Sequence, residues 1–276
     1  MPKTGTHSDG VPVIAYRIAK AGGEVLASRG ADEPFYAAST VKLAVLVAAA
    51  RALEAGEVTL DTELTSTNTF ASQVPGAAPY RIEPDDLDQG MPSPGTPMPL
   101  SDVLERMVVV SSNEATNMVV ELVGLDAVNR ALADAGATVS VFGRKYSDLE
   151  AEALGATHRT SAADLVALMS GVVTGKLAGA RWTAYMTELL GRQHDRLLTG
   201  TVPDGVPFGS KSGWVDGIRH DVAFVGEPGP GTLVVAVCTR GYEETDAAEA
   251  IRALGALAVE LAGAGMREPM ADAPRP

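Results

Sequence analysis

Three short polar clusters carry the residue types that acyl transfer requires. Ser39-Thr40-Val41-Lys42 sets a hydroxyl and an amine three residues apart, a spacing that brings both onto one face of a helix within hydrogen-bonding reach. A serine hydroxyl is a weak nucleophile until a base removes its proton. A lysine in a low-dielectric setting holds its own proton less tightly and can be that base. A helix N-terminus here would also favour negative charge developing beside the serine. Alone, Ser-x-x-Lys is a weak signal, because a capping serine followed by an unrelated lysine reads the same.

Ser111-Ser112-Asn113 falls between two helical stretches. Its hydroxyl and amide groups could relay a proton and hold a substrate carbonyl or amide, and they could equally form an ordinary N-cap. Lys211-Ser212-Gly213 ends a β-prone stretch. A strand edge can pair with an extended substrate, the lysine adds positive charge, and glycine permits close backbone approach. A polar turn after an edge strand is the other reading.

Short elements in a definite order would position these clusters. Val11–Ile18 and Gly23–Ser28 read as a hairpin about Ala-Gly-Gly. Thr40–Ala55 is apolar almost all round, which predicts a buried helix with Ser39 at its N-cap and Gly56 just past its end. Residues 66–99 hold Pro75, Pro79, Pro84, Pro92, Pro94, Pro97 and Pro99, which exclude a long helix or a central strand. Short helices come next: Ser101 capping Asp102–Val110, Ser112 capping a helix to Val123, Leu125–Ala135, one opened by Ser161-x-x-Asp164 and ending near Ser170, and Arg181–Leu190. Strands return at Phe208–Lys211, Val222–Val225 and Leu233–Thr239, before a helix at Glu243–Ala262. The order predicts an α+β chain with one antiparallel sheet formed from both ends. Residues 1–65 and 205–276 form the expected sheet-plus-helix lobe, and residues 66–204 a helical lobe with a Pro-rich insertion at 66–99. The tail Glu268–Pro276 is expected to be disordered.

Composition narrows the partners. The chain has 276 residues, 46% apolar, with a formal net charge of −13. Such a field repels phosphate backbones and anionic lipid, so neither nucleic acid nor a membrane surface is an expected partner. No run approaches the ~18 apolar residues of a membrane span. Met1–Gly10 lacks the apolar core of a secretory signal, so the chain as it stands is expected in the cytoplasm, or secreted if a leader was removed. Cys238, the one cysteine, lies in the apolar run Leu233–Cys238 and reads as a buried thiol. His7, His158, His194 and His220 are scattered without ligand spacing, so no metal or other cofactor is expected.

Taken together, the three clusters resemble the Ser-x-x-Lys, Ser-Asp-Asn and Lys-Thr-Gly motifs of class A β-lactamases and penicillin-binding proteins. The resemblance spans roughly residues 11–262 and is close at Ala38–Lys42, Ser111–Asn117 and Lys211–Trp214. It implies an antiparallel sheet flanked by helices, with a helical lobe across a cleft. It further implies that Ser39 is acylated, that Lys42 moves its proton, and that Ser111 passes a proton to the leaving nitrogen. Asn113 would bind the substrate's side-chain amide, and Lys211, Ser212 and Arg219 its carboxylate. The backbone N–H groups of Ser39 and Trp214, beside Gly213, would form the oxyanion hole, on the order of 3 kcal/mol in the transition state.

Four departures bear on function. Ser112 replaces the middle Asp, the family's N-terminal helix is missing before Val11, and the Pro-rich segment is longer than its counterpart, so the cleft rim is expected to differ. Most important, class A enzymes carry Glu-x-x-Leu-Asn in an omega loop, where the glutamate activates the deacylating water. Here Arg144–Thr160 reads RKYSDLEAEALGATHRT, and by length the glutamate's place falls near Lys145–Ser147. Glu150 is the first choice for a substitute base, ahead of Asp148 and Glu152. Without a placed base, acylation can proceed while hydrolysis stays slow. The leading expectation is hydrolysis of a β-lactam or related small amide or ester. The alternatives are a D-peptidase, esterase or biosynthetic transacylase on the same scaffold, and a catalytically idle ligand-binding module. A Ser-His-Asp hydrolase is disfavoured, since no Gly-x-Ser-x-Gly elbow exists and His220-Asp221 reads as structural.

Overall fold

The computed structural model describes residues 8–265. The expected tail Glu268–Pro276 lies outside them. Strands β1 (Val13–Lys20) and β2 (Val25–Arg29) form the first hairpin, and β3 (Phe35–Tyr36) leads into a 3-10 turn, Ala38–Val41, and helix α1 (Lys42–Glu54). The Pro-rich region contains only two- and three-residue strands, β4 (Glu63–Thr65), β5 (Thr69–Phe70), β6 (Tyr80–Arg81) and β7 (Pro97–Pro99). Next come α2 (Leu100–Val109), α3 (Asn113–Val123), α4 (Leu125–Asp134), β8 (Val141–Phe142), α5 (Leu149–Ala153), β9 (His158–Thr160), α6 (Ala162–Val173) and α7 (Ala180–Gly191). Strands β10 (Phe208–Val215), β11 (Ile218–Val225) and β12 (Leu233–Arg240) precede α8 (Glu244–Gly265).

The five long strands pair antiparallel in the order β10-β11-β12-β1-β2, which leaves β10 at an edge. Alternation along them feeds two cores. Val222, Phe224, Val234, Ala236 and Cys238 face a large core shared with the helices, while Ala223, Leu233, Val235 and Val237 face a second one with Ala248 and Ile251 of α8. The lone thiol of Cys238 is thus buried between sheet and helices.

Helix α1 is the centre of the large core, with every residue from Lys42 to Ala50 buried. It packs on α4, α3 and α7, although its place in the chain order puts it with the sheet. Helix α6, from the helical part of the chain, packs on β12, β1 and β11 as well as on α1. Gly56, at φ +72°, closes α1 as expected, with its N–H and that of Glu57 bonded to Leu53 O and Ala52 O.

Several local expectations need correction. Ser39 is no N-cap: it lies inside the 3-10 turn, and α1 starts after Val41 without a side-chain cap. Ser101 lies within α2, which begins one residue earlier behind Pro99. Ser161 caps α6 through the Asp164 N–H, but the Asp164 carboxylate accepts from Thr138, Val139 and Ser140 N–H groups, so no reciprocal capping box forms. Strand β10 runs four residues past Lys211, to an Asp216-Gly217 turn with Gly217 at φ +71°. The third cluster therefore lies within an edge strand rather than at its end. Residues 66–99 are tied down by the β4–β7 and β5–β6 pairs and by the Arg106–Asp88 ion pair. Among the described residues no helix is long and apolar enough to cross a membrane, and no group of three metal-ligating side chains is found.

Candidate active site

The 3-10 turn brings the first and third clusters together. Ala38 takes φ +47°, unusual for a residue with a Cβ, and Thr40 Oγ1 and N–H both bond Ala37 O, at 2.6 and 3.3 Å. Strand β10 runs against this turn at Gly213. A Cβ there would stand 2.6 Å from Ser39 N and 2.7 Å from Thr40 N, so only glycine fits. The next residue, Trp214, is 61% exposed. Ser39 is half-buried beside the edge strand.

The second cluster sits under the same turn. Ser112 caps α3 by accepting from Ala115 N–H, and Ser111, at φ +63°, turns the chain before it. Lys42, at the first position of α1, is fully buried. Its Nζ donates to Ser111 O at 2.6 Å, Asn113 Oδ1 at 2.7 Å and Ser111 Oγ at 3.3 Å. Those bonds all go to the second cluster. Lys211, also fully buried, donates from the strand side to Ser111 Oγ at 3.1 Å and Ser212 O at 2.8 Å. One serine hydroxyl therefore lies between two amines.

Burial sets the electrostatics. Desolvation, with the charge of Lys211 adding to it, holds the Lys42 amine well below its usual value, while Glu114, Asp86 and Asp88 pull the other way. Burial lowers Lys211 to about 8, against the opposing pull of Asp221 and Asp195. Burial thus favours the neutral form of the Lys42 amine, which lies one residue beyond the turn that carries Ser39.

Arg144–Asp148 forms the remaining wall. Tyr146 is 8% exposed, and its backbone is clamped by Asn117, which receives its N–H at 2.8 Å and donates to its carbonyl at 2.9 Å. The phenol donates to Ala38 O at 2.9 Å, and Lys42 Nζ stands 4.4 Å from the ring centroid. Burial raises the phenol well above its usual value, partly offset by a hydrogen bond to the Ser39 side chain.

The model of the β-lactamase enzyme family matches residues 6–262. The chain belongs to that family. It is 28% identical to the β-lactamase from Sphaerobacter thermophilus over 92% of each chain, with a TM-score of 0.76. The fold is shared with PBP-A, at 24% identity over 92% and 91% of the two chains and a TM-score of 0.73. It is shared too with a class A β-lactamase from Mycobacterium abscessus, at 21% identity over 92% and 95% and a TM-score of 0.73. No curated protein sequence matches the chain. The antiparallel sheet, its covering helices and the three clusters in one region are a β-lactamase-family serine hydrolase fold.

Within this β-lactamase fold, Ser39, Lys42, Ser111, Asn113, Lys211, Ser212, Gly213 and Trp214 come together. Glu150 does not: it points into solvent from α5, so it is no candidate for a base. The other two acids are occupied as well. Asp148 caps α5 and accepts from Ser72 Oγ and Gln73 N–H, and Glu152 pairs with Arg144 at 3.1 Å. Arg219 is opposite Trp214 in the sheet, but its guanidinium bonds both oxygens of Asp195 at 2.8 and 2.9 Å. Its charge is already balanced there. His220 is buried between Tyr36 O and Arg219 O, consistent with a structural role. Tyr146 and Asn117 are site residues that sequence reasoning misses. The length count that puts the missing glutamate near Lys145–Ser147 brackets Tyr146, but a search for carboxylates passes over a phenol.

Proposed function

We propose that the protein forms an acyl-enzyme at Ser39 from a β-lactam or related small amide or ester. In acylation the Ser39 Oγ bonds the carbonyl carbon, the carbon–nitrogen or carbon–oxygen bond breaks, and the serine proton reaches the leaving atom. The observation that carries the reading is Ser111 Oγ, 3.3 Å from Lys42 Nζ and 3.1 Å from Lys211 Nζ. A hydroxyl that accepts from two amines has both lone pairs engaged, and its own proton is left to point at a leaving group. When neutral, Lys42 has two N–H groups, so it gives up its 3.3 Å donation to Ser111 Oγ, and its lone pair takes the Ser39 proton. Once charged it donates to Ser111 Oγ again as Ser111 delivers its proton to the leaving atom. Asn113, with its oxygen on Lys42, has its amide N–H groups left for a substrate carbonyl. Lys211 and Ser212 hold the substrate carboxylate without Arg219. The N–H groups of Ser39 and Trp214 flank the contact at Gly213 and serve as the oxyanion hole.

The 28% identity to a protein named as a β-lactamase supports this substrate class. Release of the acyl group differs from simple hydrolysis. The three acidic side chains of residues 148–152 are engaged elsewhere or exposed, which favours a D-peptidase, esterase or transacylase with slow release to water. Nitrocefin turnover measured beside intact mass tests the reading. A covalent adduct in the native protein and none in Ser39→Ala is expected. No adduct with nitrocefin, penicillin G or an aryl ester would leave only a binding module.

A further inference from the structure

The buried side chain of Tyr146 packs against the segment that carries Ser39 and Lys42. The Tyr146 ring lies against the Lys42 amine, with its hydroxyl bonded back to the carbonyl of the residue before the nucleophile. Behind it, His158 and Phe142 pack on the ring at centroid distances of 4.9 and 6.1 Å, tilted and edge-on respectively. Asn117 fixes the backbone, and Asp148 pins the following turn to Ser72 and Gln73. The ring therefore has little room to swing aside. A water attacking from here would need both volume and a proton acceptor. The phenol supplies neither, because its hydrogen goes to Ala38 O and burial, which pushes its pKa up, keeps it protonated. In the acyl-enzyme reading Ser111, reached by both Lys42 and Lys211, faces the place that the leaving group vacates.

We propose that Tyr146 is a positioning residue that closes the deep side of the Ser39 ester to water, so that the acyl group leaves through the leaving-group side to an amine or alcohol acceptor. This deepens the acyl-enzyme reading and rests on it. The acceptor's nitrogen or oxygen bonds the acyl carbon and the carbon–Oγ bond breaks. The acceptor's proton travels by Ser111 and Lys42 to Ser39 Oγ, the reverse of acylation.

The test tracks the penicillin G adduct by intact mass, in buffer and with added hydroxylamine, for the native protein, Tyr146→Phe and Tyr146→Ala. In the native protein the adduct should persist for minutes in buffer, and hydroxylamine should shorten its life and appear as the acyl hydroxamate. Tyr146→Phe retains the ring and should retain that lifetime. Tyr146→Ala opens the space and should shorten the lifetime in buffer about tenfold, below the ~100-fold that a positioned base supplies. Acylation rates are recorded alongside, because a merely structural defect would slow adduct formation without moving the split between water and hydroxylamine. If Tyr146→Ala does not fold, the hydroxylamine split in the native and phenylalanine forms still decides. An adduct that clears within seconds in buffer and ignores hydroxylamine overturns the inference alone. An unchanged lifetime in a folded Tyr146→Ala does the same. Failure to form any adduct overturns the acyl-enzyme reading and this inference with it.

Discussion

Replacing Gly213 by alanine drives a methyl group into the backbone of the turn that carries Ser39. Its carbon would lie 2.6 Å from Ser39 N and 2.7 Å from Thr40 N, against an ordinary contact distance of 3.4 Å or more. Neither neighbour is a flexible side-chain end, so β10 and the 3-10 turn must separate by about 0.8 Å. Gly213 does not have a positive φ, so the penalty comes from contact and not from backbone strain. Overpacking of this kind costs about 1–3 kcal/mol, from which a reduced unfolded-state entropy recovers about 0.4–1 kcal/mol. For a chain of this size the net, about 0–2.6 kcal/mol, corresponds to a fall in Tm of at most roughly 10 °C. The effect on reactivity is larger, because the shift opens the pair of N–H groups meant for the oxyanion, and a displacement near 1 Å costs about 100-fold. Stopped-flow acylation by nitrocefin and a thermal melt measure both. A variant that acylates within about threefold of the native rate would refute the argument that this contact sets the oxyanion hole.

Lys42→Met, which retains the stem and removes the amine, should lower the acylation rate by about 100- to 10,000-fold, as read by nitrocefin burst kinetics. Substrate binding should weaken above pH about 8, where Lys211 loses its proton; KM for an anionic β-lactam should rise there, while a neutral ester donor shows no such limb. Asn117→Ala removes both backbone bonds to Tyr146 and should cost about 1–3 kcal/mol in urea denaturation. Asp221 is buried with its carboxyl raised to about 7, mainly by desolvation, and one oxygen unpartnered. Because its folded value lies above the unfolded one, the native state loses stability as pH rises from about 4 to about 7. Asp221→Asn should therefore gain Tm relative to the native protein across that range, and a difference independent of pH would contradict it.

Much of the architecture can be read in the residues themselves, because the cues are local and agree with one another. The apolar stretch Thr40–Ala55 suggests a buried helix, and Gly56 and Gly124 mark real helix ends. Strand alternation at Leu233–Cys238 is harder to see, since both faces are buried against helices and the apolar run is continuous. The short pairs β3–β9 and β8–β9 carry no periodicity, and tertiary contacts alone hold them. In the site, spacing points to Lys42 and Lys211 but not to their shared contact, because the meeting at Ser111 Oγ depends on chain segments about a hundred residues apart. The choice of Glu150 fails for a physical reason. Residue type suggests a base, but a short helix capped by Asp148 turns Glu150 outward, while the residue that turns inward, Tyr146, has no carboxylate. Nor does spacing show that Arg219, expected at the substrate carboxylate, pairs with Asp195.

The central claim is that one hydroxyl, Ser39, takes an acyl group in the space that all three polar clusters line. Peptide mapping by tandem mass spectrometry after brief exposure to penicillin G examines it most directly. The modification should fall on Ser39 alone and vanish in Lys42→Met at matched times. Label on Ser111 or Ser112 with Ser39 unmodified, or equal labelling of Ser39→Ala, would contradict the account.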